Sequence, residues 1–229
     1  MINIPWLDED SPFPNTSKAL RNPNGLLAAG GELSAEKVLE AYCRGIFPWF
    51  SEDEPVLWWS PDPRCVVFPK QVHESKSMKK LARKGDYHVS FNQNFDEVIY
   101  LCGETRRQFE GTWITDELRE AYCALHRLGF GKSVEVWRDN KLVGGLYGLA
   151  INKVFYGESM FSLEPNTSKL GFITLAKRLA ELDYQLIDCQ VRSNHLLSLG
   201  ATEIRRAEFE SILNANHDFS QPPKPGSLN

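Results

Sequence analysis

An acid and an amide stand two residues apart, Asp188 and Gln190, within the alternating run Tyr184-Gln-Leu-Ile-Asp-Cys-Gln-Val191. Read as a strand, the run sends Leu186, Asp188 and Gln190 to one face and Ile187, Cys189 and Val191 to the other. Side chains two apart on a strand are separated by about 7 Å, so the acid and the amide share the front of an apolar-backed strand. Such a pair either makes structural hydrogen bonds or holds and orients a reacting group, and chemistry is expected in front of it. A Cys–His nucleophile is not expected, because Cys189 points to the opposite face and His195 has no evident partner.

The elements that must position this pair can be read by period. Ser34 predicts the cap of a helix with Glu36 in its first turn, Val38, Leu39, Ala41 and Tyr42 on its apolar face, and Gly45 as its stop. The flanks, Pro23 to Gly31 and Gly45 to Phe50, read as structured turns around aromatic anchors, with Trp58 to Arg64 as a link. Ser75 to Lys84 predicts a short helix with Lys76, Lys79, Lys80, Arg83 and Lys84 on one side and Met78, Leu81 and Ala82 opposite. That basic face is either a solvated helix surface or a phosphate-contacting patch.

Further on, Tyr87 to Phe91 alternates as a strand. Asn94 and Glu97 open a helix running to Cys102. Thr115 caps another, with Leu118, Ala121, Tyr122, Leu125 and Leu128 on one side and Gly129 as its stop. Ser133 to Arg138, Lys141 to Ile151 and Val154 to Phe161, joined by Asp139-Asn140 and Asn152-Lys153, predict a three-stranded antiparallel meander. A helix from about Ser168 follows, then the Asp188/Gln190 strand, Leu196 to Gly200, and a polar, Pro-rich tail.

The 229 residues suffice for a substantial core, and the net charge of −4 excludes a uniformly basic nucleic-acid glove. Five scattered cysteines with no Cys-x-x-Cys pair argue against a disulfide framework and a zinc site, and favour the cytosol. The first residues show no signal-peptide pattern, and no apolar run approaches the ~20 residues of a membrane span.

These elements predict an α+β fold, a small N-terminal domain (1–64) plus a domain (65–229) with a mostly antiparallel sheet and flanking helices, whose order of elements resembles the acetyltransferase-like (GNAT) superfamily. The connection Ser162-Leu-Glu-Pro-Asn-Thr-Ser168 contains no glycine. It therefore lacks the Gly-rich pyrophosphate loop of acetyl-CoA enzymes, and a different acyl donor is expected.

The chain resembles the leucyl/phenylalanyl-tRNA–protein transferases in nine blocks, in family order from Pro23 to Ala201. They are Pro23 to Leu27, Arg44 to Phe50, Trp58 to Arg64, Glu110 to Thr115, Ser133 to Trp137, Val143 to Gly145, Gly157 to Ser162, Leu186 to Gln190 and Ser198 to Ala201. Lys132 stands where the pattern suggests histidine and Leu146 where it often has methionine. The resemblance implies transfer of Leu or Phe, and also Met, from aminoacyl-tRNA to the N-terminal Arg or Lys of proteins, creating a degradation signal. The expected partners are leucyl-tRNA, phenylalanyl-tRNA and those proteins, for a cytoplasmic monomer that does not act at a membrane.

An activated ester meeting an amine requires no cofactor, no metal and no covalent enzyme intermediate. In that reading Gln190 accepts a hydrogen bond from the attacking amine and Asp188 orients Gln190. Glu158 meets the acceptor's cationic side chain. Leu146, Phe155, Met160, Phe161 and Phe172 form the pocket for the amino-acid side chain, which should reject β-branched Ile and Val. Tyr42, Trp49 and Trp113 belong to the aminoacyl-adenosine site, and Lys76, Lys79, Lys80, Arg83 and Lys84 contact tRNA phosphates. The alternatives are a ligase that uses the same donor on a cell-wall peptide or lipid, and a noncatalytic RNA-binding module.

Overall fold

The computed structural model describes residues 4–107, 114–216 and 221–228. The meander is present as β7 (Gly131–Arg138), β8 (Lys141–Ile151) and β9 (Val154–Ser162). Asp139, Asn140 and Asn152 take positive φ at its two turns, a conformation that their short polar side chains tolerate. The helix α5 (Thr167–Glu181) then returns the chain to β10 (Leu186–Asp188), which lies parallel to β9. On β8, a methyl group at Gly144 would collide with Thr167, so glycine there lets α5 close onto the sheet.

Two further pieces widen the sheet around β10. The strand β5 (Arg64–Val67) pairs with it antiparallel, and β11 (Thr202–Ile204) pairs with β5. On the far side, β6 (His88–Phe91) pairs with β7, giving seven strands in the order β11-β5-β10-β9-β8-β7-β6. The result is α+β, with a sheet antiparallel at every pairing except β9–β10. An interior strand is covered on both faces. Leu186 joins the core under α3 (Phe95–Arg107) and α4 (Asp116–Arg127), and Ile187 and Cys189 join the core under α5.

Several expectations need correction. The N-terminal segment is not only turns around one helix. It holds a second sheet, β1-β2-β4-β3, from β1 (Trp6–Leu7), β2 (Leu26–Gly30), β3 (Phe47–Pro48) and β4 (Leu57–Trp59). These strands have two to five residues, and β2 is buried throughout, so no alternation marks it. The expected helix is present as α1 (Ala35–Cys43), with Ser34 accepting from the Lys37 amide. Leu128 is 54 % exposed rather than facing the core, because α4 ends before it. After the short α6 (Asn194–Leu197), the presumed polar tail contains α7 (Arg206–Asn216), which buries Phe209 and Leu213. One continuous core contains Tyr42 and Trp58 from the first 59 residues together with Tyr147 and Phe209.

Candidate active site

A cavity of ≈ 550 Å³ opens where the Phe47 to Trp49 segment faces β9, α5 and the residues after β10. Its apolar end is lined by Leu146, Phe155, Met160, Phe161 and Phe172, the five side chains expected to form the acyl pocket. Inward-facing residues of β8 and β9 converge there with one turn of α5. Trp49 also lines the cavity and is 42 % exposed, so its ring is available to a ligand. Trp113 lies outside the described residues.

Gln190 and Glu158 line the same cavity, but Asp188 does not. The expected side-by-side display of Asp188 and Gln190 is therefore corrected. Strand geometry ends at Asp188, and Gln190 takes φ +55, with the Val191 amide donating to the Cys189 carbonyl at 2.7 Å around it. A three-residue turn of that hand is strained for a non-glycine residue. Gln190 thus turns out to the cavity, half-buried, while Asp188 is sealed at 0 % exposure.

Asp188 is held by a residue to which the sequence reading gave no role. Arg64 donates from Nε to Oδ1 at 2.8 Å and from Nη2 to Oδ2 at 2.7 Å, a two-pronged pair that is wholly buried. Burial opposes the Arg64 charge, and the Asp188 carboxylate more than compensates, so the guanidinium keeps its proton. Its remaining prong, Nη1, donates to the Gly45 carbonyl at 3.0 Å, and the group lies between the rings of Phe47 and Phe209. Asp188 Oδ1 also accepts the backbone N–H of Gln190 at 3.0 Å, and the Gln190 carbonyl accepts from the Cys65 amide at 3.2 Å. The strained residue is fixed at both ends. Through Arg64, it is tied to the segment that carries Trp49.

Glu158 owes its position to an irregularity. Tyr147 pairs with Ser159 and Gly148 with Gly157, so Glu158 is the extra residue of a bulge in β9. Bulges re-aim side chains beside active sites. Here the carboxylate reaches the Tyr42 hydroxyl at 2.7 Å and the Tyr122 hydroxyl at 2.9 Å, with the Gln190 amide nitrogen 3.5 Å away. Burial pushes its carboxyl up to about 7, against the two tyrosine hydrogen bonds and Arg64, which favour the charged form; Asp188 adds to the rise.

Tyr42 is corrected as well. Its ring is 0 % exposed, packed edge-on against Tyr156, so it offers no face to a nucleobase and acts instead through its hydroxyl on Glu158. In the sequence Tyr122 is only an apolar position of its helix, yet a buried tyrosine hydroxyl needs a partner, and that is the signal it offers. Burial holds the Cys189 thiol well above its usual range, which argues against a thiolate nucleophile.

The five cations of α2 (Lys76–Lys84) are gathered away from this cavity on one exposed groove, with Met78 buried beneath. Among the described residues, none of the five is in an ion pair.

Comparison with known proteins gives a family. Residues 66–214 match the family described as leucyl/phenylalanyl-tRNA protein transferase, and residues 31–62 match its N-terminal domain. A leucyl/phenylalanyl-tRNA–protein transferase of Pseudomonas putida is 55% identical over 220 residues, 96% of each chain. One from Hahella chejuensis is 52% identical over 226 residues, 98% of this chain and 97% of that one. Likeness to a solved structure, L-PGS from Bacillus licheniformis, is weak: TM-score 0.43 at 11% identity, over 74% of this chain and 56% of that one. Matched along nearly its whole length, the chain belongs to the leucyl/phenylalanyl-tRNA–protein transferases and is an aminoacyltransferase.

Proposed function

We propose that this enzyme moves Leu, Phe or Met from aminoacyl-tRNA to the N-terminal Arg or Lys of a protein, forming a peptide bond that marks the protein for degradation. The carrying observation is one cavity whose apolar end runs into a polar wall made by Gln190 and Glu158. The amino-acid side chain occupies the apolar end, which puts its ester carbonyl beside Gln190. Trp49, with Trp113, holds the 3′-terminal adenosine, and the α2 groove takes phosphates farther along the tRNA. The donor is already activated, and a peptide amine with a pKa near 7.7–8.0 has a usable neutral fraction at neutral pH.

Because Gln190 directs its amide nitrogen toward Glu158, its carbonyl oxygen is left to accept from the attacking amine. An amide is too weak a base to keep a proton, which leaves through the substrate's ribose hydroxyl or water. Asp188 has both oxygens occupied. It serves as a positioning residue that acts on the Gln190 backbone. Glu158 meets the acceptor's guanidinium or ammonium group. Juxtaposition of this kind supplies roughly 7–11 kcal/mol of barrier lowering. The reading extends to a cytoplasmic monomer with a small N-terminal domain ending near residue 64.

The test mixes radiolabelled leucyl-tRNA, the purified protein and an Arg-started peptide. Label is expected in the peptide and absent from an Ala-started control. Label entering a peptidoglycan precursor or a lipid instead would replace this reading with that of a cell-wall or lipid ligase.

A further inference from the structure

Three groups meet behind Gln190: the hydroxyls of Tyr42 and Tyr122 and the Glu158 carboxylate. The hydroxyl oxygens are 2.6 Å apart, Tyr42 is 2.7 Å from Glu158 Oε1, and Tyr122 is 2.9 Å from Glu158 Oε2. All three separations are hydrogen-bond distances, and each requires a proton between its oxygens. Two tyrosines bring two protons, and an ionised carboxylate brings none. Whichever way the hydroxyls turn, one contact is left with lone pair against lone pair. Neighbouring donors do not fill the gap, because the Tyr156 hydroxyl goes to the Tyr42 carbonyl and the Gln190 amide is 3.5 Å from Oε1.

We infer that Glu158 carries a proton in the substrate-free enzyme, closing a ring of three hydrogen bonds with Tyr42 and Tyr122, and that the acceptor's cationic side chain expels it. The protonated carboxyl donates to Tyr122, Tyr122 to Tyr42, and Tyr42 back to Glu158. When a guanidinium or ammonium arrives, the carboxyl ionises and its proton passes to solvent. One positive charge enters as one leaves, so the half-buried site gains no net charge. The second half of the inference rests on the reading that Glu158 meets the acceptor cation.

The surroundings favour this. Burial pushes the Glu158 carboxyl up to about 7, and the charges facing it are Asp188 on β10, which raises it further, and Arg64 on β5, which lowers it. Those two are paired with each other, so their effects largely offset. Tyr156 on β9 and Cys43 on α1 are held above their usual ranges by burial and stay neutral. Tyr147 on β8 packs edge-on to Tyr122. A nearby cation lowers a carboxyl pKa by about 1–3 units, enough to empty a site poised near neutrality.

The experiment uses a peptide mimic that bears the arginine guanidinium but has hydrogen in place of its α-amino group, so that any proton released comes from the protein. Its binding is followed calorimetrically at pH 6 in two buffers of different ionisation enthalpy. With a carboxyl near 7, about nine-tenths of the enzyme is protonated there, and a lowering of about 1–3 units on binding predicts release of roughly 0.4 to 0.9 proton per mimic. Binding without release overturns the inference, even if labelled leucine still moves to Arg-started peptides. If the mimic does not bind, the expulsion half falls together with the acceptor role of Glu158. Infrared spectra of the free enzyme then decide the ring. A protonated-carboxyl band at pH 6 that is absent from Glu158→Gln, and that fades as pH rises through 7, supports it. A spectrum without such a band overturns it.

Discussion

Replacing Arg64 with methionine removes the buried partner of Asp188, and the structure sets the size of the effect. Both groups are fully buried, and the guanidinium supplies two of the three hydrogen bonds that the carboxylate receives. Breaking such a pair from one side costs about 3–5 kcal/mol, because a charge is left uncompensated. At about 2–4 °C per kcal/mol for a chain of this size, Tm should fall by roughly 6–20 °C. Replacing both members, Arg64→Met with Asp188→Leu, removes that charge and should recover most of the stability. It should not recover catalysis. The Gln190 amide then has no acceptor, only the Cys65 amide on its carbonyl still opposes relaxation from φ +55, and a shift of about 1 Å can cost ~100-fold. Urea melts and single-turnover transfer of labelled leucine on the two variants separate folding from positioning. A double variant as stable as the parent and equally fast would refute the strut, as would an Arg64→Met single variant that loses less than ~1 kcal/mol.

Trp49→Ala should weaken binding of a non-hydrolysable leucyl-adenosine analogue by roughly 5- to 150-fold, the equivalent of about 1–3 kcal/mol of base stacking; unchanged affinity by titration would exclude a stacking role. The triple change Lys79→Ala, Lys80→Ala and Arg83→Ala should lower affinity for whole tRNA and flatten its dependence on salt. Turnover of a minimal leucyl-adenosine donor should stay as it was, and an equal loss on both donors would place α2 outside phosphate binding. Glu158 should also mark the pH dependence of stability. Its folded-state carboxyl lies at about 7 against an ordinary 4.5, so the folded protein binds more protons between those values, and stability declines as pH rises through that window. Glu158→Gln should remove that decline in urea melts, and parallel pH profiles for the two proteins would count against it.

What could be read along the chain was set by the range of the interactions involved. The meander and α1, α2, α4 and α5 are long enough for their period, caps and turns to declare them, but strand alternation alone does not give the acyl pocket: Phe155 and Met160 are five positions apart and share a face only because the bulge at Glu158 shifts the register. The N-terminal sheet is built of strands too short or too uniformly buried to show a period, and Pro48 lies within one of them. The α7 helix buries only two side chains, Phe209 and Leu213, so its pattern is thin. The contacts that define the site are longer-range still. Arg64 meets Asp188 across 124 positions, and Tyr42 meets Glu158 across 116. No local pattern encodes such pairs, and in the sequence Arg64 is only the end of a linking segment.

The alternation around Asp188 misled for a reason tied to the chemistry. A regular strand would have set both polar side chains on one face, each as free as the other. Ending β10 at Asp188 gives them different environments. The acid goes where its charge is fully matched by Arg64, and the amide goes where a substrate can reach it. Bound only to water, a surface carboxylate could not hold Gln190 in a left-handed conformation that costs about 1–3 kcal/mol. A sealed one, anchored by three donors, can. The bulge at Glu158 applies the same logic on the neighbouring strand, taking one carboxylate out of register and delivering it to two tyrosine hydroxyls. Both irregularities sit side by side on the parallel pair β9–β10, and the polar wall of the cavity exists because regular pairing stops there.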